Sequence, residues 1–401
     1  MNRRVLITGV GSITALGNDA PSLHSRWEAG ECGIVDGDAP CTGFDPTRTV
    51  DQRELRRTDR FTQLALAAAD EALAQAGWEA GEPPYDPVRV GCIVGSGIGG
   101  IGTMEQQIEV VRNRGSRAVS AFTVPMLMAN AAAANVSMRY GLRGETHCVV
   151  SACASSAQAI LAGLRTIETG EADAAVVGGA EGGATEFIHA AFMKAGALSP
   201  TGRSLPFDVR RDGFVHGEGS GILVLEAADA AETRGARAIG EVLGYGSTSD
   251  AFHVTAPAPD GLTAAKAITR ALECAGVEPH EIDYVNAHGT GTPLNDRTEV
   301  VALKASLGEA VAGIPVSSTK SVIGHLMGAA GAVEAIATLG ALRDRVIPPT
   351  VGLDELDPDC EGLDHVVEDA RPLDGEARPL IGLSPSFGFG GHNAALVLRA
   401  A

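Results

Sequence analysis

Cys153 stands in the run VVSACASSAQAILAGL, where an apolar strand feeds an Ala-rich helix through a turn of small residues. A thiol at a helix N-terminus meets the positive end of the helix dipole, which favours the thiolate. Neighbours no larger than Ala or Ser leave an electrophile room to approach, and strand–turn–helix is the geometry that exposes a nucleophile on an elbow. The plainer reading is a small thiol filling a core, which is how Cys148, between His147 and Val149, is taken.

His288 lies in NAHGTGTPLND and His325 in SSTKSVIGHLMGAAGA, each in a turn beside glycine and not on an amphipathic face. Imidazoles so placed suit proton transfer or donation to a developing oxyanion; the alternative is two surface histidines. Lys320 and Glu334 flank the second histidine. Buried together they would fix its orientation, whereas each alone reads as a surface charge. Towards the C-terminus, SPSFGFGGHN repeats glycine too often for regular structure and permits close backbone approach. Its N–H groups can supply half of an oxyanion hole; otherwise it is a tight hairpin with Phe387 and Phe389 in the core.

Three patterns point to other chemistry and fail on context. Gly95–Gly100 follows an apolar strand in G-x-G-x-x-G form, but after Glu109 the next acid is Glu145, so the acidic ribose partner expected about 20 residues on is missing. Ser317–Lys320 spells S-x-x-K without the S-D-N or K-T-G that accompany it in penicillin-recognising enzymes. The Cys153-to-His288 interval suits papain-like proteases, yet their local cysteine signature is absent.

These residues need a scaffold, and 401 residues exceed what one core usually holds, so two domains or one two-part domain is expected. Apolar residues at 45% and charged residues at 20% describe a folded chain. A net charge of −19 argues against a nucleic-acid surface. No run approaches the roughly 20 apolar residues of a membrane span. The apolar stretch between Arg4 and Gly9 is too short for a signal peptide and reads as a first strand. Seven scattered cysteines fit a reducing cytoplasm, and no CxxC or zinc-spaced histidine pair calls for a metal.

The scaffold reads as α/β. Strands are expected at 5–8, 90–94, 148–150, 174–177, 221–226, 284–287, 315–317 and 394–398, alternating with helices at 61–76, 154–169, 264–275, 297–306 and 328–343. Asp59 caps the first helix and Gly77 ends it. Nearly continuous apolar strands imply burial on both faces. The segments beginning at Val149 and Val316 both read strand, Ser/Cys-rich turn, Ala-rich helix, as duplicated halves would, although Ala-rich helices resemble one another anyway. A boundary near residue 240 separates 1–240, with the cysteine, from 241–401, with both histidines.

In order along the chain, SACASSAQAI, PFDVRRDGFVHGEGSG, YVNAHGTGTPLND, SSTKSVIGHLMGAAGAVEAI and SFGFGGHN resemble the β-ketoacyl-acyl-carrier-protein synthases of the elongating, synthase II type. That family includes the catalytic ketosynthase subunits of bacterial type II polyketide synthases, and the likeness runs from Val5 to Leu398. It implies a thiolase-like α/β fold, two pseudo-symmetric halves in a five-layer αβαβα sandwich. The activity implied is decarboxylative Claisen condensation of a Cys-bound acyl chain with malonyl-acyl carrier protein, in fatty-acid or polyketide elongation. No metal or organic cofactor is implied, because phosphopantetheine arrives on the carrier protein. The other partner is a second subunit, in a homodimer or in a heterodimer with a chain-length factor.

By the same resemblance Cys153 is the nucleophile, His288 and His325 promote decarboxylation, and Lys320 and Glu334 support them. The N–H groups of Cys153 and Phe389 form the oxyanion hole. Thr255, Thr290 and Thr292 meet the pantetheine arm, with Phe387 and Phe389 at the gate. Arg53, Arg56, Arg57 and Arg203 match carrier-facing positions. The first three, with Arg60, crowd a helix N-terminus where cations oppose the dipole, unless they pair with Glu54 and Asp59. Ser151 stands where the family motif usually has Thr, which leaves the chemistry intact and the pathway open. Two readings from other classes remain: a non-condensing chain-length-factor-like subunit, and a Cys/His thioester hydrolase.

Overall fold

The structure, a computed structural model, describes residues 3–373 and 378–401. Eleven strands form one sheet: β1 Val5–Ile13, β2 Val90–Gly95, β3 Thr146–His147, β4 Ala174–Glu181, β5 Gly219–Ala227, β6 Gly240–Ser249, β7 Tyr284–Asn286, β8 Pro315–Ser317, β9 Asp364–His365, β10 Ile381–Gly388 and β11 His392–Ala400. Six helices build the layers: α1 Arg60–Gln75, α2 Ala131–Tyr140, α3 Ser155–Glu168, α4 Leu262–Ala275, α5 Pro293–Leu307 and α6 Ala330–Asp344.

The strand order is β9-β8-β7-β10-β11-β6-β1-β5-β4-β2-β3. From its centre outward the first half runs β1-β5-β4-β2-β3 and the second β6-β11-β10-β7-β8. Both begin with two antiparallel pairings and continue with two parallel ones, and the second adds β9, parallel to β8, at its edge. Helices fall at matching points too: α1 and α4 after the first strand, α2 and α5 before the third, α3 and α6 after it. The halves meet where β1 pairs with β6, at Leu6–Glu241 and Ile7–Gly240.

Along β1, β2, β4 and β5 the side chains alternate between two cores, so these strands are buried on both faces and largely apolar. On β2, Cys92 and Val94 pack with α1 and α2, whereas Ile93 faces α3 and α6. On β11, Ala394, Leu396 and Leu398 face that same central layer, and Ala395 and Val397 pack under α4 and α5. The result is five layers: helices, half-sheet, the α3/α6 pair, half-sheet, helices.

Glycines let the outer helices sit directly on the strands. A Cβ on Gly9 or Gly11 of β1 would fall 2.0 Å from the carbonyl oxygen of Ala72 or Ala68 in α1. A Cβ on Gly246 of β6 would fall 1.8 Å from that of Ala267 in α4, and one on Gly244 would fall 2.5 Å from Ala271's. Gly9-Val-Gly-Ser and Gly244-Tyr-Gly-Ser are therefore a second internal repeat that periodicity does not reveal.

Several boundaries differ from expectation. Asp59 does cap α1, accepting from the Phe61 N–H at 3.4 Å. The strand expected at 148–150 is displaced to Thr146–His147. α5 starts at Pro293, capped by Thr292 and not at 297, because proline suits the first turn. β6 and β10 were not expected, since Gly and Pro lower strand propensity. Pro385 is tolerated because β10 pairs with β7 at Gly382 and Leu383, before the proline is reached. Ser386–Gly388 is thus regular strand, and β10 and β11 make the hairpin.

Candidate active site

Cys153 sits in the turn between β3 and α3, after Ala152, whose φ of 49° is the left-handed backbone of a tight elbow. The β10–β11 hairpin closes against this turn: a Cβ on Gly388 would lie 2.9 Å from the Ser151 carbonyl oxygen and 3.1 Å from the Cys153 nitrogen. That approach brings the Phe389 N–H onto Cys153 Sγ, where it acts alongside the N–H of Cys153 itself. The two donors expected of an oxyanion hole therefore converge on the sulfur.

Burial pushes the Cys153 thiol up to about 11, against the pull of Lys320 and of those N–H groups. This corrects the expectation of a resting thiolate. α3 has Ala154 as its cap, so the thiol precedes the helix, and loss of hydration outweighs the dipole.

His325 Nε2 is 2.9 Å from Cys153 Sγ. Its other nitrogen, Nδ1, accepts the Met327 N–H at 3.2 Å, so the proton of the neutral ring is on Nε2. In His288, Lys320 Nζ donates to Nδ1 at 3.2 Å, and the same tautomer follows. Both pKa values lie well below the ordinary histidine value, through burial first and Lys320 second. The rings stand nearly perpendicular, 5.5 Å between centroids, and His288 meets the edge of Phe387. Two neutral imidazoles thus present N–H donors beside one thiol.

Lys320 is 1% exposed and ion-paired with the buried carboxylate of Glu334, whose pKa burial raises to about 7. Sequence reasoning missed Asp296 and Glu299, which shape the His288 loop. Glu299 accepts the N–H groups of His288 and Gly289, both at 2.7 Å. Asp296 accepts those of Thr290 at 3.1 Å and Gly291 at 3.2 Å. Burial raises both carboxyls, Glu299 to about 8. Their spacing, one helical turn apart at the start of α5 behind a glycine loop, was the available signal.

A pocket of about 440 Å³ opens onto these groups. Thr255, Thr290, Thr292, Phe387 and Phe389 all line it, as do Gly97, Ile98, Phe192 and Phe214. Thr292 also caps α5, and its hydroxyl lies 2.9 Å from that of Thr290. Thr255 is exposed at the mouth beside His253.

The arginines separate. Arg60 is a structural pair for buried Glu218, at 2.7 Å, and leaves the docking set. Glu54 pairs with Arg139, and Asp59 accepts from Thr103, so neither neutralises the rest. Among the described residues Arg53, Arg56, Arg57 and Arg203 are exposed with no carboxylate at salt-bridge distance. Arg53, Arg56 and Arg57 line a shallow depression with Phe122, over which the Arg57 guanidinium lies 4.3 Å from the ring centroid.

The Cys153 sulfur and the histidine nitrogens lie within 4.8 Å of one another, close enough to suggest a metal centre. A histidine ligand normally donates its second N–H to an acceptor. Here the second nitrogens accept from Met327 and Lys320, which leaves Nε2 protonated and unsuited to coordination.

Paired α/β halves, a cysteine on an elbow and two N–H-donating histidines define a condensing enzyme of the thiolase-like class. The chain belongs to the β-ketoacyl synthase family: residues 2–231 match the β-ketoacyl synthase N-terminal domain and residues 239–354 the C-terminal domain. It is 40% identical to a 3-oxoacyl-[acyl-carrier-protein] synthase 2 of Synechocystis sp., over 99% of this chain and 98% of that one. The ishigamide ketosynthase/chain length factor superposes with a TM-score of 0.91 at 34% identity, each chain fully covered. A type II polyketide ketosynthase, solved with its acyl-carrier protein and bound to a hexaketide, gives 0.88 at 28%, again with full coverage of both.

Proposed function

We infer that the protein is a decarboxylating ketosynthase that elongates carrier-bound acyl chains in fatty-acid or type II polyketide synthesis. The observation that carries this reading is the Cys153 thiol set against two tautomer-fixed N–H donors at the end of one pocket. Cys153 Sγ attacks the acyl thioester, and the N–H groups of Cys153 and Phe389 hold the tetrahedral oxyanion as the carrier thiol leaves. The malonyl thioester oxygen then accepts from His288 and His325, which stabilises the enolate formed as carbon dioxide departs. The enolate carbon attacks the acyl carbon, the C–S bond to Cys153 breaks, and the thiolate takes up a proton. Acyl-Cys, malonyl-carrier and one proton thus give β-ketoacyl-carrier, carbon dioxide and the free thiol.

Lys320 and Glu334 hold His288, and Thr255, Thr290 and Thr292 contact the pantetheine arm. The imidazole tautomers favour chemistry without a bound metal, the only prosthetic group being the one on the carrier. Arg53, Arg56, Arg57 and Arg203 receive the acidic carrier. The helix Ile101–Arg114 leaves Met104, Ile108 and Val111 exposed near Phe122, Val124 and Met128, an apolar face suited to a second subunit. Seven unpaired thiols, Cys153 among them, suit the cytoplasm. Among the described residues no helix is long and apolar enough to cross a membrane.

Intact mass spectrometry tests the reading. The protein should gain an acyl adduct that Cys153→Ala abolishes, and should release β-ketoacyl-carrier only when malonyl-carrier is added. Release of free acid without malonyl consumption would make it a hydrolase. An adduct absent from the parent chain would make it a non-condensing subunit.

A further inference from the structure

We propose that Glu181 is a positioning residue for the condensing reaction, clamping one wall of the acyl pocket to the turn that carries His325. The proposal rests on the reading of His325 as an enolate donor. The loop Gly95–Gly100, whose glycine pattern resembles an anion-binding motif, does receive an acidic group, and it is internal: the Glu181 carboxyl, whose pKa burial raises against the pull of its N–H donors. Glu181, at the end of β4 and 2% exposed, accepts the Gly97 N–H at 2.6 Å and the Ile98 N–H at 3.2 Å. Ser96 Oγ donates to it at 3.1 Å. The fourth donor comes from the other half of the molecule: the Gly328 N–H, at 3.0 Å.

Among the described residues no Lys or Arg pairs with this carboxylate, whereas buried Glu218, Glu226 and Glu241 each pair with arginine. A buried carboxylate answered only by neutral donors is a poor source of stability. Its geometry is what distinguishes it. The two segments touch so closely that a Cβ on Gly328 would fall 2.2 Å from the Gly97 nitrogen. Between Gly328 and His325 lies Met327, held at φ 44°, left-handed backbone that a residue with a Cβ rarely adopts. That conformation aims the Met327 N–H at His325 Nδ1, 3.2 Å away, and so keeps the proton on Nε2. Gly97, Ile98 and Met327 all line the pocket, so one carboxylate fixes both an acyl wall and the donor beside it.

The test is a double-mutant cycle on malonyl-carrier decarboxylation. Glu181→Gln should lower kcat about tenfold with little change in KM, as displacement of a catalytic group does. In a His325→Ala background the same substitution should cost almost nothing more, because its effect passes through His325. Ser96→Ala, a milder loosening of the same carboxylate, should repeat the pattern at about threefold and stands in if Glu181→Gln does not fold. Glu226→Gln controls for the loss of a buried carboxylate and should leave decarboxylation unchanged. Parent-like rates in both Glu181→Gln and Ser96→Ala, or losses additive with His325→Ala, would overturn the clamp. A fully active His325→Ala would instead overturn the reading of His325.

Discussion

His288 and His325 share one tautomer, but His325 alone is placed against the sulfur, and that asymmetry predicts different kinetic defects. In the proposed mechanism each ring supplies one N–H to the malonyl thioester oxygen, so replacing either by Ala should remove one preorganised donor from the enolate. Losing such a donor costs about 10²–10³ in rate, or about 3–4 kcal/mol of barrier. Acylation divides the two. His325 Nε2–H, 2.9 Å from Sγ, also stabilises the attacking sulfur, whose pKa burial has pushed up to about 11. A hydrogen bond to a charged group contributes about 1.5–3 kcal/mol, so His325→Ala should acylate tenfold or more slowly, whereas His288→Ala should acylate nearly as the parent does. Decarboxylation is best followed by acetyl-carrier formation in a Cys153→Gln background, where condensation cannot consume the enolate, and acylation by rapid-quench intact mass. Both rings are held neutral by burial and then by Lys320, so decarboxylation should be flat from pH 8 to 6. With folded values well below the ordinary histidine value, the unfolded chain takes up these protons first, so stability should fall as pH drops through about 6.5, and less so in His325→Ala. Equal acylation by the two variants, or a decarboxylation midpoint near pH 6.5 in the parent, would refute the reasoning.

Lys320→Met should leave Glu334 buried without its cation, so its pKa, already raised to about 7, climbs further. A carboxyl raised on folding stabilises the fold as it protonates, so thermal unfolding of this variant should shift upward between pH 9 and 7 relative to the parent. Arg56→Glu with Arg57→Glu should lower turnover several-fold with carrier-bound donors, an effect that fades at high salt, yet barely alter turnover with short pantetheine thioesters. An equal loss for both donors would remove these arginines from docking. Gly246→Ala places a methyl 1.8 Å from the Ala267 carbonyl oxygen, so α4 must shift on β6, at about 1–3 kcal/mol measured by denaturant unfolding.

The sequence by itself singled out Cys153, His288 and His325, because each is a reactive type in a turn beside small residues, and only the family likeness set Lys320 and Glu334 beside them; that Lys320 meets His288 and not the neighbouring His325 came from the structure. It also determined the strands and helices whose apolar content is continuous, since burial on both faces leaves no other pattern. Spacing cannot reveal what depends on close approach across the fold. Gly388 is needed because its strand, far along the chain, presses on the Cys153 turn, and Gly244 and Gly246 because α4 lies on β6. The tertiary structure alone decided that Arg60 is a structural ion pair, that Glu181 fills the glycine loop, and that Cys153 rests as a buried thiol. The physical reason is common to all three. Local sequence sets which groups a segment offers, but hydration, charge partners and the direction of a backbone N–H are fixed by whatever the rest of the chain packs against it.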